Sequence, residues 1–125
     1  MKRLIAAFFL LAIALGVALA GHFYINKSAK QMIEYIEVDR KQTVASGSSS
    51  SDRAEKIQKE WKKREKFFVA ILPHGELDEI EINIMHLTDF NSQNLTEEYI
   101  KSLNECINRL EHIRETESPD FKNIF

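Results

Sequence analysis

Along this chain the apolar positions first form one unbroken run and then recur at helical spacing. Residues 4–25 read LIAAFFLLAIALGVALAGHFYI, free of Asp, Glu, Lys and Arg, with His22 near the end. A helix needs about 20 such residues to cross the hydrocarbon of a bilayer, so the run predicts a membrane-spanning helix. Ile25, Ala29, Met32, Ile33 and Ile36 follow at helical spacing. The helix is therefore expected to continue outward as an amphipathic stem over residues 26–44. Residues 45–51, ASGSSSS, carry little apolar surface and read as a Ser-rich flexible linker or long loop.

Residues 52–125 then predict a helical domain. Ser51 or Asp52 can cap a helix whose buried stripe is Ile57, Trp61, Phe68, Ile71 and Leu72. Pro73 and Gly75 interrupt the pattern, and Leu77, Ile80, Ile84 and Leu87 resume it as far as Phe90-Asn91. Asn94-Leu95-Thr96-Glu97 places a capping residue three positions before a glutamate, the signature of a helix start. Tyr99, Leu103, Cys106, Ile107, Leu110 and Ile113 make one face of a last long helix, which Pro119 stops. Trp61 is expected to be buried between the helix beginning near Asp52 and the one beginning near Tyr99. In the tail, SPDFKNIF, a short turn from Pro119 would gather Phe121, Ile124 and Phe125 at i, i+3 and i+4. That patch is expected to fold back over the end of the bundle, the alternative being a C-terminal docking peptide. No alternating strand pattern competes. The fold class is all-α: a transmembrane helix continuing into a stem, then a small antiparallel helical bundle.

Composition narrows the function classes. A chain of 125 residues allows a span plus one small domain. A formal net charge of −2, with no uniformly basic and aromatic face, gives no reason to expect nucleic acid. The single cysteine, Cys106, excludes an internal disulfide and falls on an apolar stripe, where a buried small hydrophobe is the usual reading. Lys and Arg crowd residues 53–66 and are absent from 67–100, where Asp and Glu accumulate. Were the chain to turn at Pro73-His74-Gly75, these stretches would lie antiparallel and neutralise each other; the bland alternative is two separately solvated faces.

The N-terminal run has two readings. Lys2 and Arg3 precede it, and Ala18-Leu19-Ala20 before Gly21 resembles a cleavage site, as in a secretory signal peptide. The apolar run nevertheless continues through Phe23, Tyr24 and Ile25, aromatics suited to a membrane–water boundary, which favours a retained anchor. The basic residues do not decide orientation, since Lys27, Lys30, Arg40 and Lys41 balance the N-terminal pair. The short, signal-like start favours the C-terminal domain outside the cytoplasm, with the bilayer a partner through residues 4–25.

Trp61 within KEWKK, HGELDEIE at 74–81, LEHI at 110–113 and the terminal NIF at 123–125 together resemble one family. It is the bacterial family catalogued as domain of unknown function four-three-six-three, small proteins with one N-terminal membrane segment. The resemblance implies an anchored, extracytoplasmic helical domain in a Gram-positive bacterium, and implies no reaction. Pro73 and Gly75 depart from the helix-friendly residues expected around His74.

The stretch LPHGELDEIE, residues 72–81, holds the most suggestive chemistry. On a helix His74 and Asp78 are i and i+4, with Glu81 about a turn further along the same face. An imidazole and carboxylates so placed could bind a divalent metal or share a proton, given ligands from elsewhere such as His86 or His112. The plainer reading is a helix start, since acidic residues in the first turns interact favourably with the helix dipole. Asn94-Leu95-Thr96 matches a glycosylation acceptor but is better explained as a cap. There is no Gly-rich phosphate loop, zinc-type Cys/His spacing or nucleophile elbow. The expected function is a membrane-tethered, non-enzymatic helical module without a cofactor that binds another protein. The alternative is a metal- or small-ligand-binding envelope protein using His74, Asp78 and Glu81.

Overall fold

The computed structural model describes residues 1–117. Four helices follow one another: α1 (Lys2–Ser46), α2 (Ser51–Ile71), α3 (His74–Ser92) and α4 (Thr96–Glu117). The residues of the expected C-terminal patch, Phe121, Ile124 and Phe125, lie outside the described residues. Helix α1 is unbroken over 45 residues, roughly 68 Å at 1.5 Å per residue. Residues 2–20 are exposed throughout, and this half of the helix is long and apolar enough to cross a membrane.

The second half of α1 is not a stem standing clear of the domain. Ile25, Ala29, Met32, Ile33 and Ile36 are buried against the other helices and form one wall of the bundle. The stripe is apolar because it faces a core, and residues 26–44 belong with 52–117 in one unit. The Ser-rich segment also differs from expectation. Gly47 closes α1 in the left-handed conformation at φ 73°, its N–H donating to Thr43 O, and the Ser50 side chain caps α2. Between them Ser49 Oγ donates to Asn91 Oδ1 (2.6 Å) and Ser48 O accepts from Arg53 (3.1 Å). Polar side chains anchor these serines to the bundle, so the segment is a tight connection.

Each helix runs antiparallel to the next. Helix α1 lies against α2 and α4, and α3 lies against α2 and α4, leaving α2 and α4 diagonal. The 72–73 connection supports this, since Leu72 N–H still bonds Phe68 O while Pro73, at φ −60° and ψ 136°, ends one helix and begins the next. The chain therefore turns at Pro73, and Gly75 sits inside the first turn of α3. Asn94 is not the start of α4. At φ 57° it ends α3, with Asn94 N–H donating to Asn91 O and Leu95 N–H to Phe90 O. Asparagine tolerates the left-handed region that most residues avoid, so it closes the helix as glycine often does.

The core joins the stripes of all four helices, from Ile57 and Phe68 of α2 to Leu77, Ile80, Ile84 and Leu87 of α3 and Leu103, Cys106, Leu110 and Ile113 of α4. Trp61 is buried as expected and stacks on Phe68 at 5.7 Å. Its groove neighbours are Ile84 and Met85 of α3, since α2 does not adjoin α4. Leu72 is buried, but Ile71, expected on the same stripe, is 46% exposed. It falls on the last turn of α2, just before the chain turns at Pro73 into α3.

The α1–α2 seam is more polar. Tyr35 of α1 lies between Lys56 and Arg64 of α2, at 5.2 and 5.5 Å from the ring centroid, a cation–π arrangement. Arg64 also reaches Gln31 Oε1 (3.0 Å) and Glu60 Oε2 (2.8 Å). Among the described residues, acidic side chains of α3 make close contacts with α4, as the Glu79–Arg109 ion pair (3.8 Å) and the contact of Glu76 with His112 Nε2 (3.2 Å). The anticipated neutralisation of α2 by α3 does not take that form.

Because α1 supplies a wall of the core, a chain beginning at Asp52 should fail to fold, whereas residues 21–125 should show cooperative thermal unfolding by circular dichroism. A cooperative transition in the 52–125 fragment would contradict the shared core.

Candidate functional site

The polar positions that the helices bring together are centred on Asp39. This residue occupies a stripe position of α1, one turn beyond Ile36, and is only 2% exposed. Arg53 Nε from α2 donates to Asp39 Oδ1 at 2.8 Å, Thr43 Oγ1 donates to the same oxygen at 3.2 Å, and Tyr99 OH from α4 donates to Oδ2. Arg53 also donates to Ser48 O, tying in the α1–α2 connection. Burial, together with the adjoining Asp39 carboxylate, pushes the Tyr99 phenol well above its ordinary range. It therefore remains a neutral donor. The carboxylate meets three donors, as a buried charge requires. The Arg53 side chain remains 28% exposed beside a groove of about 260 Å³ lined also by Asp39, Tyr35 and Lys56, but each carboxylate oxygen is already engaged by the protein's own donors, and the cluster holds α1, α2 and α4 at one level.

The residues proposed from sequence are placed differently. His74 and Asp78 are exposed on the first turns of α3. Glu81 faces α2, where burial, the Glu65 carboxylate and then Asp78 raise its pKa, with Lys62 opposing. Of the other imidazoles, His112 meets Glu76, and His86 lies edge-on to Phe90 at 5.7 Å. Among the described residues no three of His, Cys, Asp and Glu come together in a set able to hold a metal ion. Cys106 is fully buried near Ile80 O, and burial pushes its thiol up to about 12. A thiol so placed stays protonated and packs as a small apolar group.

Glu81 shares a shallow groove of about 230 Å³ between α2 and α3, lined also by Gln58, Trp61, Lys62, Ile84 and Met85. The indole Nε1 of Trp61 is buried without a hydrogen-bond partner. Beyond the groove, Ile82 and Met85 are 47% and 61% exposed on the outer face of α3. The groove carries an apolar floor and charged rims, and offers a contact surface more readily than a reaction centre. Asp39 escaped sequence reasoning, although one signal was present: a carboxylate at the Met32, Ile36, Asp39, Thr43 spacing falls on the buried face.

A family model described as "Domain of unknown function (DUF4363)" matches residues 19–124. The chain belongs to that family, in accord with the resemblance of its short motifs. No curated protein and no solved structure matches the chain.

Two expectations follow. Replacing Asp39 by Ala leaves Arg53 and the buried Tyr99 hydroxyl without their acceptor and should cost about 3 kcal/mol. Tyr99→Phe should cost about 1.5–3 kcal/mol, and the double variant less than the sum. Denaturant unfolding of the purified chain measures all three, and additive losses would show that the groups do not act together. For Glu81 the folded-state pKa is raised, so the proton is held more tightly in the folded state. Stability from that group is present below the ordinary carboxylate range and is lost as pH rises through the raised value. Glu81→Gln should therefore raise the melting temperature at neutral pH, with the gain vanishing in acid; an equal gain at both pH values would count against the assigned cause.

Proposed function

We propose that this member of the family is a single-span membrane protein whose bundle lies outside the cytoplasm and binds another protein without catalysing a reaction. The observation that carries the reading is the continuity of α1. The helix passes from an exposed apolar half directly into the wall of the bundle, so a retained span holds the bundle at the membrane surface with no flexible tether. In water the exposed apolar half would be an extreme liability, whereas lipid solvates it. The binding role draws support from the outer face of α3, where Ile82 and Met85 border the Trp61 groove. Exposed apolar side chains beside a charged rim suit a protein contact.

The full chain should stay with the membrane pellet after alkaline carbonate extraction. Val44→Cys, at an exposed position near the far end of α1, should react with a membrane-impermeant maleimide in intact cells. Release into the supernatant would remove the anchor, and labelling only after lysis would reverse the orientation. A photo-crosslinker at Met85 should give a discrete adduct in native membranes, and loss of that adduct with a crosslinker at Val44 would assign the contact to α3. Equal adducts at both positions would count against a dedicated binding face.

A further inference from the structure

The connection between α2 and α3 is apolar where a solvated turn would be polar. Residues 67–73 read FFVAILP, without a charge. Phe68 and Leu72 enter the core, but Val69 and Ile71 are 40% and 46% exposed, and Ala70 and Pro73 are exposed as well. Two contacts fix the level of this tip along α1. Phe67 meets Tyr24 edge-on with ring centroids 4.2 Å apart. Farther down, a Cβ at Gly21 would lie 3.9 Å from Ile71 Cδ1.

Gly21 belongs to the apolar run, which ends at Ile25. Four residues of helix are about 6 Å, so the tip stands below the end of the run, not above it. Phe23 and Tyr24, 71% and 47% exposed, project from α1 just above that level. The first lysines above the tip on α1 and α2, Lys27 and Lys66, are exposed. They lie six residues above Gly21 and five above Ile71, about 9 and 7.5 Å higher. Apolar groups below and ammonium groups above is the order that a bilayer boundary with anionic headgroups imposes.

We infer that the α2–α3 tip, through Val69 and Ile71, is a second membrane contact that enters the headgroup–acyl boundary beside the span. The occupant of this exposed apolar surface is lipid, and the inference rests on the span reading above. The contact makes the bundle's lower end part of the membrane interface and restrains α1 from swinging about its point of exit.

Four single-cysteine additions test it, at Leu11, Val69, Ile71 and Val44, each carrying an environment-sensitive fluorophore on the full chain. Buried Cys106 stays unlabelled, as the wild-type chain verifies. The labelled chains are reconstituted into phosphatidylcholine–phosphatidylglycerol vesicles containing a lipid with a nitroxide on its acyl chain. Emission at Leu11, Val69 and Ile71 should be blue-shifted and quenched, and emission at Val44 should be neither. Quenching at Leu11 with water-like emission at both Val69 and Ile71 would overturn the tip contact and leave the anchor standing. Absence of quenching at Leu11 would overturn the anchor, and the tip contact with it. Val69 and Ile71 are both exposed, and unchanged helical circular dichroism confirms that each labelled chain is folded.

Discussion

A charged carboxylate inside a small apolar bundle constrains everything around it. Asp39 must meet its donors or cost several kcal/mol, and those donors come from three helices. Leucine stripes alone can slide by a turn and still bury their area. Arg53 and Tyr99 cannot slide, because their donors must reach two oxygens of one group. The short segment after Gly47 follows from the same demand, since Arg53 must enter α2 within reach of both Asp39 and Ser48. Such a network contributes less to stability than an apolar replacement of equal volume often does. Its contribution is to single out one alignment of α1, α2 and α4.

The apolar framework was largely legible before any coordinates. Every residue named on the stripes of α3 and α4 is buried, as are Ile25 through Ile36 of α1 and Trp61 of α2, because helical periodicity reports directly which face seeks a core. The failures share a cause. Asp39 is polar, so a search for apolar recurrence passes over it. Asn94 reads as a helix start from its neighbours, but its left-handed φ depends on where α3 must end. Ser48 and Ser49 read as a linker because their partners, Arg53 and Asn91, are brought to them by the fold. Ile71 fits the stripe of α2 by spacing, but in the last turn before Pro73 it stays 46% exposed. Periodicity sees faces; it does not see partners.

The same limit governs the candidate chemistry. His74, Asp78 and Glu81 share a helical neighbourhood by spacing, but the adjoining helices decide what each meets. Helix α4 claims Glu76 and Glu79 for His112 and Arg109, while α2 sets Glu65 opposite Glu81. What spacing presents as a cluster is thereby divided between two seams. The acidic character of α3 is spent mainly on neighbours within the bundle, and the apolar side chains left on its outer face become its most distinctive surface.

The unbroken α1 also fixes a rotational phase. The buried stripe at Ile25, Ala29, Met32 and Ile36, continued backward at the same spacing, reaches Ala18, Ala14, Leu11 and Ala7, so the other three helices stand over one particular side of the apolar half. Each residue of a helix advances about 100°. One residue inserted between the two halves would turn one half against the other by more than a quarter circle, whereas an insertion of seven would nearly restore the original facing. The two halves of this chain can therefore change in length only by near-whole turns if their orientation is to survive.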